Sequence, residues 1–75
     1  MIYPDKTSEL KYTLLGVGSL ILSELNTPQT TSSLWERVRI FEEIGSFEKY
    51  VLTLDFLYLM GLVKMDEGLI RRLNT

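Results

Sequence analysis

Residues that could carry out chemistry are scarce in this chain of 75 residues. It has no histidine and no cysteine, so the commonest nucleophiles, proton shuttles and soft metal ligands are missing. The acidic pairs Glu42-Glu43 and Asp66-Glu67 are adjacent in sequence, and neighbours on a helix point about 100° apart instead of converging on one substrate atom. The segment Gly16-Val17-Gly18 lies inside a helical pattern with no strand before it, unlike a phosphate-binding loop. We therefore expect no enzymatic activity, no cofactor and no metal site.

Length and charge define the class of protein. We expect one domain spanning residues 1–75, since a chain this short leaves no room for a second. The net charge of −2 argues against general binding to phosphate backbones, which depends on Lys and Arg. The longest apolar run, Leu14 to Leu22, is interrupted and shorter than the ~20 residues of a membrane span, and no signal-peptide pattern is present. We expect a cytoplasmic chain that does not enter a membrane. Small domains without disulfides or metals often gain stability from a partner, and a homo-oligomer is one such arrangement.

Helical spacing predicts two helices in the first half of the chain, after an extended lead-in over residues 1–7. The first runs from about Ser8 to Leu25, with one apolar stripe formed by Leu10, Leu14, Val17, Ile21 and Leu25. The second is short, and the spacing of Ser33 and Glu36 predicts a capping box at its start. Its apolar face is formed by Leu34, Val38 and Phe41.

The second half predicts a third helix and a β-hairpin. The helix runs from about Phe47 to Met60, after an N-cap at Ser46. The apolar runs 62–65 and 69–73 flank Asp66-Glu67-Gly68, which is typical of a hairpin turn. Three helices followed by a C-terminal hairpin form the core of a winged helix-turn-helix, a mostly helical α+β fold. The alternative is a three-helix bundle with an irregular C-terminal segment, but the alternation of the two apolar runs favours the hairpin.

The third helix occupies the position of a DNA-reading helix but lacks the side chains for that task. One apolar stripe is expected to pack on the first two helices: Phe47, Tyr50, Val51, Leu54, Leu57 and Tyr58. A second stripe consists of Leu52, Phe56 and Leu59 at i, i+4 and i+7. Base reading needs Arg, Lys, Asn or Gln, whereas this helix has only Glu48, Lys49, Thr53 and Asp55 as polar residues. We expect the second stripe to contact another protein, unless the hairpin or a terminal segment covers it.

A second candidate patch lies on the first helix, at Leu15, Gly18 and Leu22. Each glycine costs a helix about 1 kcal/mol relative to alanine, so Gly16 and Gly18 need a reason. Close packing within the domain is one explanation, and a notch that accepts a partner is the other.

The basic residues predict the competing function. Arg37 and Arg39 lie on the second helix, and Lys64, Arg71 and Arg72 lie on or beside the hairpin. Such residues can contact a DNA backbone weakly and without sequence preference. The alternative is therefore a small winged-helix transcriptional regulator that binds DNA through these five side chains.

Several segments resemble a known bacterial family. They are Tyr3-Pro4-Asp5-Lys6, Leu14-Leu15-Gly16-Val17-Gly18, Ser33-Leu34-Trp35, the stretch from Ser46 to Tyr58, and Gly68-Leu69-Ile70-Arg71-Arg72. Together they are similar to the middle component, family six, of the ABC-three-component systems. The resemblance covers nearly the whole chain.

The resemblance implies a role within a larger complex. These systems comprise an ABC ATPase related to chromosome-maintenance ATPases, a small middle component and an effector, and they are associated with defence against phages and plasmids. The resemblance implies a non-catalytic adaptor that binds the ATPase and the effector, and it brings no catalytic residues.

Overall fold

Three helices and an antiparallel hairpin, in the predicted order, make up residues 6–73, the part of the chain that the computed structural model describes. Their bounds are α1 Lys6–Ser23, α2 Thr31–Val38, α3 Phe47–Leu59, β1 Val63–Asp66 and β2 Leu69–Arg72. The predicted mostly helical α+β class is confirmed, and the three-helix bundle with an irregular C-terminal segment is wrong. Residues 1–5 of the predicted extended lead-in lie outside the described residues, whereas residues 6 and 7 are already helical.

The apolar stripe of α1 forms one wall of the core. Leu14, Val17 and Ile21 are buried, as is Leu25 just beyond the helix. Leu10, which was predicted on the same stripe, is exposed. The reason is its position: the central cluster begins at Val17, and Leu10 lies two helical turns before it.

Helix α2 begins earlier than the sequence pattern predicted. Its N-cap is Thr30, whose hydroxyl oxygen accepts a hydrogen bond from the backbone N–H of Ser33 at 3.1 Å. The predicted capping box of Ser33 and Glu36 is therefore wrong. Ser33 lies inside the first turn, and its hydroxyl donates to Gln29 Oε1 at 3.1 Å. Thr30 to Ser33 all have side chains suited to an N-cap, so spacing alone could not choose among them.

The buried face of α3 differs from the predicted one. Tyr50, Thr53 and Leu57 are fully buried, so the core face is rotated by roughly 70° from the predicted one at 100° per residue. Thr53 tolerates burial because its hydroxyl donates to the carbonyl of Lys49 at 2.7 Å, which satisfies the polar group locally.

As a consequence of this rotation, three residues predicted to be core are exposed: Phe47, Val51 and Tyr58. Phe47 nevertheless packs its ring edge-on against Trp35, with the ring centroids 5.2 Å apart. Val51 and Tyr58 lie on the side of α3 that faces the hairpin.

The hairpin closes through a two-residue turn at Glu67 and Gly68. Both residues have positive φ, 54° and 79°, as a type I′ turn requires. Val63 lies opposite Arg72 and Asp66 opposite Leu69. The two strands of four residues each are too short to cover the whole length of α3.

The loop between α1 and α2 fixes the hairpin in place. Gln29 and Ile70 exchange two main-chain hydrogen bonds, of 3.1 and 2.6 Å. The side chain of Gln29 also donates to the carbonyl of Glu24 at 2.6 Å. Every element contributes to the core cluster, which comprises Val17, Ile21, Leu25, Leu34, Val38, Ile44, Tyr50, Leu57, Val63 and Ile70. The described chain measures 46 × 28 × 17 Å.

Candidate protein-binding surface

The second apolar stripe of α3, here called the Leu52 stripe, consists of Leu52, Phe56 and Leu59. Leu52 is 46% exposed and Leu59 is 84% exposed, whereas Phe56 is half-buried and packs against the core. Within residues 6–73, neither the hairpin nor another segment covers Leu52 and Leu59. The stripe therefore offers a partner two free leucines beside a half-buried aromatic ring.

The polar residues of α3 do not suit a nucleic acid. Glu48 and Asp55 are exposed on the outer side of the helix, next to Leu52. Lys49, the cation of this helix, is half-buried beside Gly45, and together with Glu43 it lines a shallow depression beside α1. Carboxylates facing solvent repel phosphate, so the chemistry of α3 favours a protein surface over a DNA groove.

The structure separates the three residues of the second candidate patch. Leu15 is 47% exposed, and Leu22 is half-buried against the core. Gly18 is buried, and a Cβ atom at this position would lie 2.8 Å from Leu57 Cδ2. Of the two explanations for Gly18, the structure shows close packing within the domain, because the missing side chain lets α1 approach α3. Leu15 is the residue of this patch that remains exposed.

Sequence reasoning missed a groove between α3 and the hairpin, here called the α3–hairpin groove. Its volume is about 380 Å³, and its lining residues are Thr31, Val51, Leu54, Asp55, Tyr58, Val63, Lys64, Met65 and Ile70. Tyr58 is 60% exposed at one wall, and Met65 is exposed at the other. The groove lies between the short hairpin and the side of α3 that carries the exposed Val51 and Tyr58. The sequence held one clue to this groove. Assigning Thr53 to the core would have rotated the predicted core face of α3 and left the groove side of the helix exposed.

The five basic residues are largely engaged within the chain. Three form exposed ion pairs: Arg37 with Glu24 at 4.0 Å, Arg39 with Glu36 at 3.4 Å and Arg71 with Asp66 at 3.9 Å. Arg72 donates to the carbonyl of Leu22 at 3.3 Å, and Lys64 is exposed on β1, the strand that borders the groove. Exposed pairs add little to stability. A carboxylate within 4 Å of an arginine nevertheless offsets part of the positive charge that would attract a phosphate.

Other kinds of site are not built by the described residues. Residues 6–73 contain no group of three or more His, Cys, Asp or Glu side chains that could hold a metal ion. In the same part of the chain, no helix is long and apolar enough to cross a membrane. The Tyr50 hydroxyl donates to the carbonyl of Thr31 at 2.8 Å, and burial raises the pKa of Tyr50 to about 12. This phenol is neutral at physiological pH and ties α3 to the start of α2.

Comparison with known proteins places the chain in a family. No curated protein and no solved structure matches it. One family model matches residues 3–73 and describes the ABC-three component (ABC-3C) system Middle Component 6. The match includes all three helices and both strands of the hairpin, and it confirms the resemblance inferred from the sequence. The chain therefore belongs to the Middle Component 6 family of the ABC-three component systems.

Proposed function

We propose that this chain is a non-catalytic, winged-helix-like adaptor that joins a chromosome-maintenance-type ABC ATPase to an effector in a cytoplasmic complex directed against phages or plasmids. Membership of a middle-component family supports an accessory role within a multi-component system. The order of three helices and a hairpin supports the winged-helix comparison, which is an analogy of architecture and carries no function by itself.

The exposure of the Leu52 stripe is the observation that carries this proposal. Large apolar side chains that remain exposed next to one another mark interaction surfaces in soluble proteins. Full burial of a leucine contributes about 1.5–3 kcal/mol relative to leaving it exposed. Leu52 and Leu59 could therefore supply several kcal/mol to an interface, with Glu48 and Asp55 forming part of its polar rim.

Co-purification with the ATPase and effector encoded beside this chain tests the proposal. Leu52→Asp places a charge at the N-terminal end of the stripe, and we expect it to weaken binding at least tenfold. The matched control is Ile40→Asp, because Ile40 is also exposed but lies in the turn after α2. Circular dichroism and a thermal melt of the isolated variants check that both remain folded.

Leu59→Asp is a second test variant. Leu59 is the most exposed residue of the stripe, so a charge at this position should not unfold the chain. Loss of binding in folded Leu52→Asp and Leu59→Asp, with binding kept in Ile40→Asp, would support the adaptor function. Full binding by both stripe variants would contradict it.

DNA binding is the competing outcome. Binding of duplex DNA by the isolated chain, weakening steeply as salt rises, together with a footprint at a defined operator, would favour the transcriptional regulator. In that case substitutions of Arg37, Arg39, Lys64, Arg71 and Arg72 should weaken binding, whereas Leu52→Asp should not.

A further inference from the structure

Strand β1 forms the open edge of the small sheet. The opposite strand, β2, is flanked on its other side by Gln29, which takes both the N–H and the C=O of Ile70. The order across the sheet is therefore Gln29, β2, β1. Strand β1 has a neighbour on one side only, which leaves an edge that can accept another strand.

The hydrogen-bond pattern shows which residues of β1 have outward main-chain groups. Paired residues in an antiparallel ladder alternate between hydrogen-bonded and non-hydrogen-bonded pairs. Leu73 donates to the carbonyl of Leu62 at 3.0 Å, so the bonded pairs continue at Lys64 opposite Arg71. The intervening residues, Val63 and Met65, point their N–H and C=O groups away from β2.

These outward groups are available to a new strand. Within residues 6–73, no backbone hydrogen bond from outside the hairpin reaches Val63 or Met65. The side chains of these two residues lie on the face of the hairpin that lines the α3–hairpin groove. An added strand would therefore place every second side chain in the groove, next to Tyr58 and Leu54.

The other face of β1 shows which charge the added strand should carry. Lys64 lies directly opposite Arg71 in the register, and like charges at such a position are destabilising. Arg71 is 3.9 Å from Asp66, whereas Lys64 forms no ion pair with any described residue. A carboxylate placed beside Lys64 on the open side would offset this repulsion.

We propose that β1 binds an extended segment of a partner protein by strand addition, and that this segment has an apolar–acidic–apolar sequence. The acidic side chain pairs with Lys64 on the outer face, and the two apolar side chains enter the α3–hairpin groove opposite Val63 and Met65. Strand addition of this kind takes affinity from the main chain and specificity from alternate side chains. The idea that the segment belongs to the ATPase or the effector rests on the proposed adaptor function.

A synthetic peptide, acetyl-Ser-Thr-Val-Glu-Val-Thr-Ser-amide, tests this surface on the full isotope-labelled chain by NMR. We expect the amide signals of Val63 and Met65 to shift and to gain protection from hydrogen exchange. The amide of Lys64, which is already bonded within the hairpin, should gain no protection. A peptide with Lys in place of Glu should bind at least tenfold more weakly.

Charge reversal on the chain sharpens the test. Lys64→Glu should reverse the preference between the two peptides, whereas Lys11→Glu, the same change on exposed α1, should leave it unchanged. Equal binding of both peptides, or shifts confined to Leu52 and Leu59, would overturn the proposal. Protection of Val63 and Met65 that rises with chain concentration in the absence of peptide would also overturn it, because a second copy would then occupy the edge.

The peptide assay needs neither the ATPase nor the effector, so its result is separate from that of the co-purification test. Failure of co-purification alone would remove the adaptor function and leave the strand-binding edge. Failure of the peptide assay alone would remove the edge and leave the Leu52 stripe.

Discussion

Two glycines on the same helix should respond differently to the same substitution. At Gly16 a Cβ atom would meet nothing within 4 Å apart from its own helix backbone and adjacent residues, whereas at Gly18 it would lie 2.8 Å from Leu57 Cδ2. Ordinary van der Waals contact begins at 3.4 Å, so Gly18→Ala forces Leu57 to move. Leu57 is fully buried in the core and has little space to move into.

The expected changes in the free energy of unfolding follow from two opposing effects, helix propensity and overpacking of the core. Alanine is favoured over glycine in a helix by about 1 kcal/mol, and Gly16→Ala should gain most of that. Gly18→Ala gains the same amount but also overpacks the core, which costs about 1–3 kcal/mol. We expect Gly16→Ala to stabilise the chain and Gly18→Ala to be neutral or destabilising by up to about 2 kcal/mol.

Thermal and urea unfolding of the two variants measure this difference. For a domain of this size, 1 kcal/mol corresponds to about 4–8 °C in Tm, so Gly16→Ala should melt several degrees above the unsubstituted chain. Gly18→Ala should melt at or below it. Equal stabilisation by both substitutions would refute the close approach of α1 and α3 at Gly18.

Two further predictions concern a cap and a phenol. Thr30→Ala should lower the free energy of unfolding by about 1 kcal/mol in urea titrations, whereas the exposed control Ser32→Ala should change it by less than about 0.5 kcal/mol; equal effects would argue against the cap at Thr30. Because burial raises the pKa of Tyr50 from 10.0 to about 12, the unfolded chain loses this proton first as pH rises. Stability should therefore be unaffected by Tyr50 below pH 10 and fall by up to about 2–3 kcal/mol by pH 12. Tyr50→Phe should lose about 1 kcal/mol at neutral pH and show a smaller alkaline loss, and an unchanged alkaline loss would contradict the assignment.

Local patterns in the sequence predicted the helices, the strands and the hairpin turn well. The buried stripe of α1, the N-cap at Ser46 and the turn at Asp66-Glu67-Gly68 each depend on residues within a few positions of one another. In such cases the spacing of apolar side chains and the turn chemistry determine the outcome. The order of elements followed directly from these signals.

The exposed faces were harder to predict, because they depend on contacts between distant segments. A helical wheel counts Thr53 as polar, although its hydroxyl is satisfied by Lys49 and the residue is buried. Because Thr53 is buried, the core face of α3 is shifted around the helix from the predicted one, and Val51 and Tyr58 are exposed. The α3–hairpin groove and the open edge of β1 further depend on the pairing of Gln29 with Ile70, which no local pattern encodes.

The short axis of the described chain, 17 Å, has a consequence for any complex built on it. Packed layers of structure lie about 10 Å apart, so fewer than two layer spacings separate the two sides of the molecule. The Leu52 stripe and the α3–hairpin groove lie on neighbouring sides of α3, since Asp55 is next to Leu52 on the helix and also lines the groove. Under the proposed adaptor function, partners at these two surfaces would sit side by side on a thin domain, and the chain would not act as a long spacer between them.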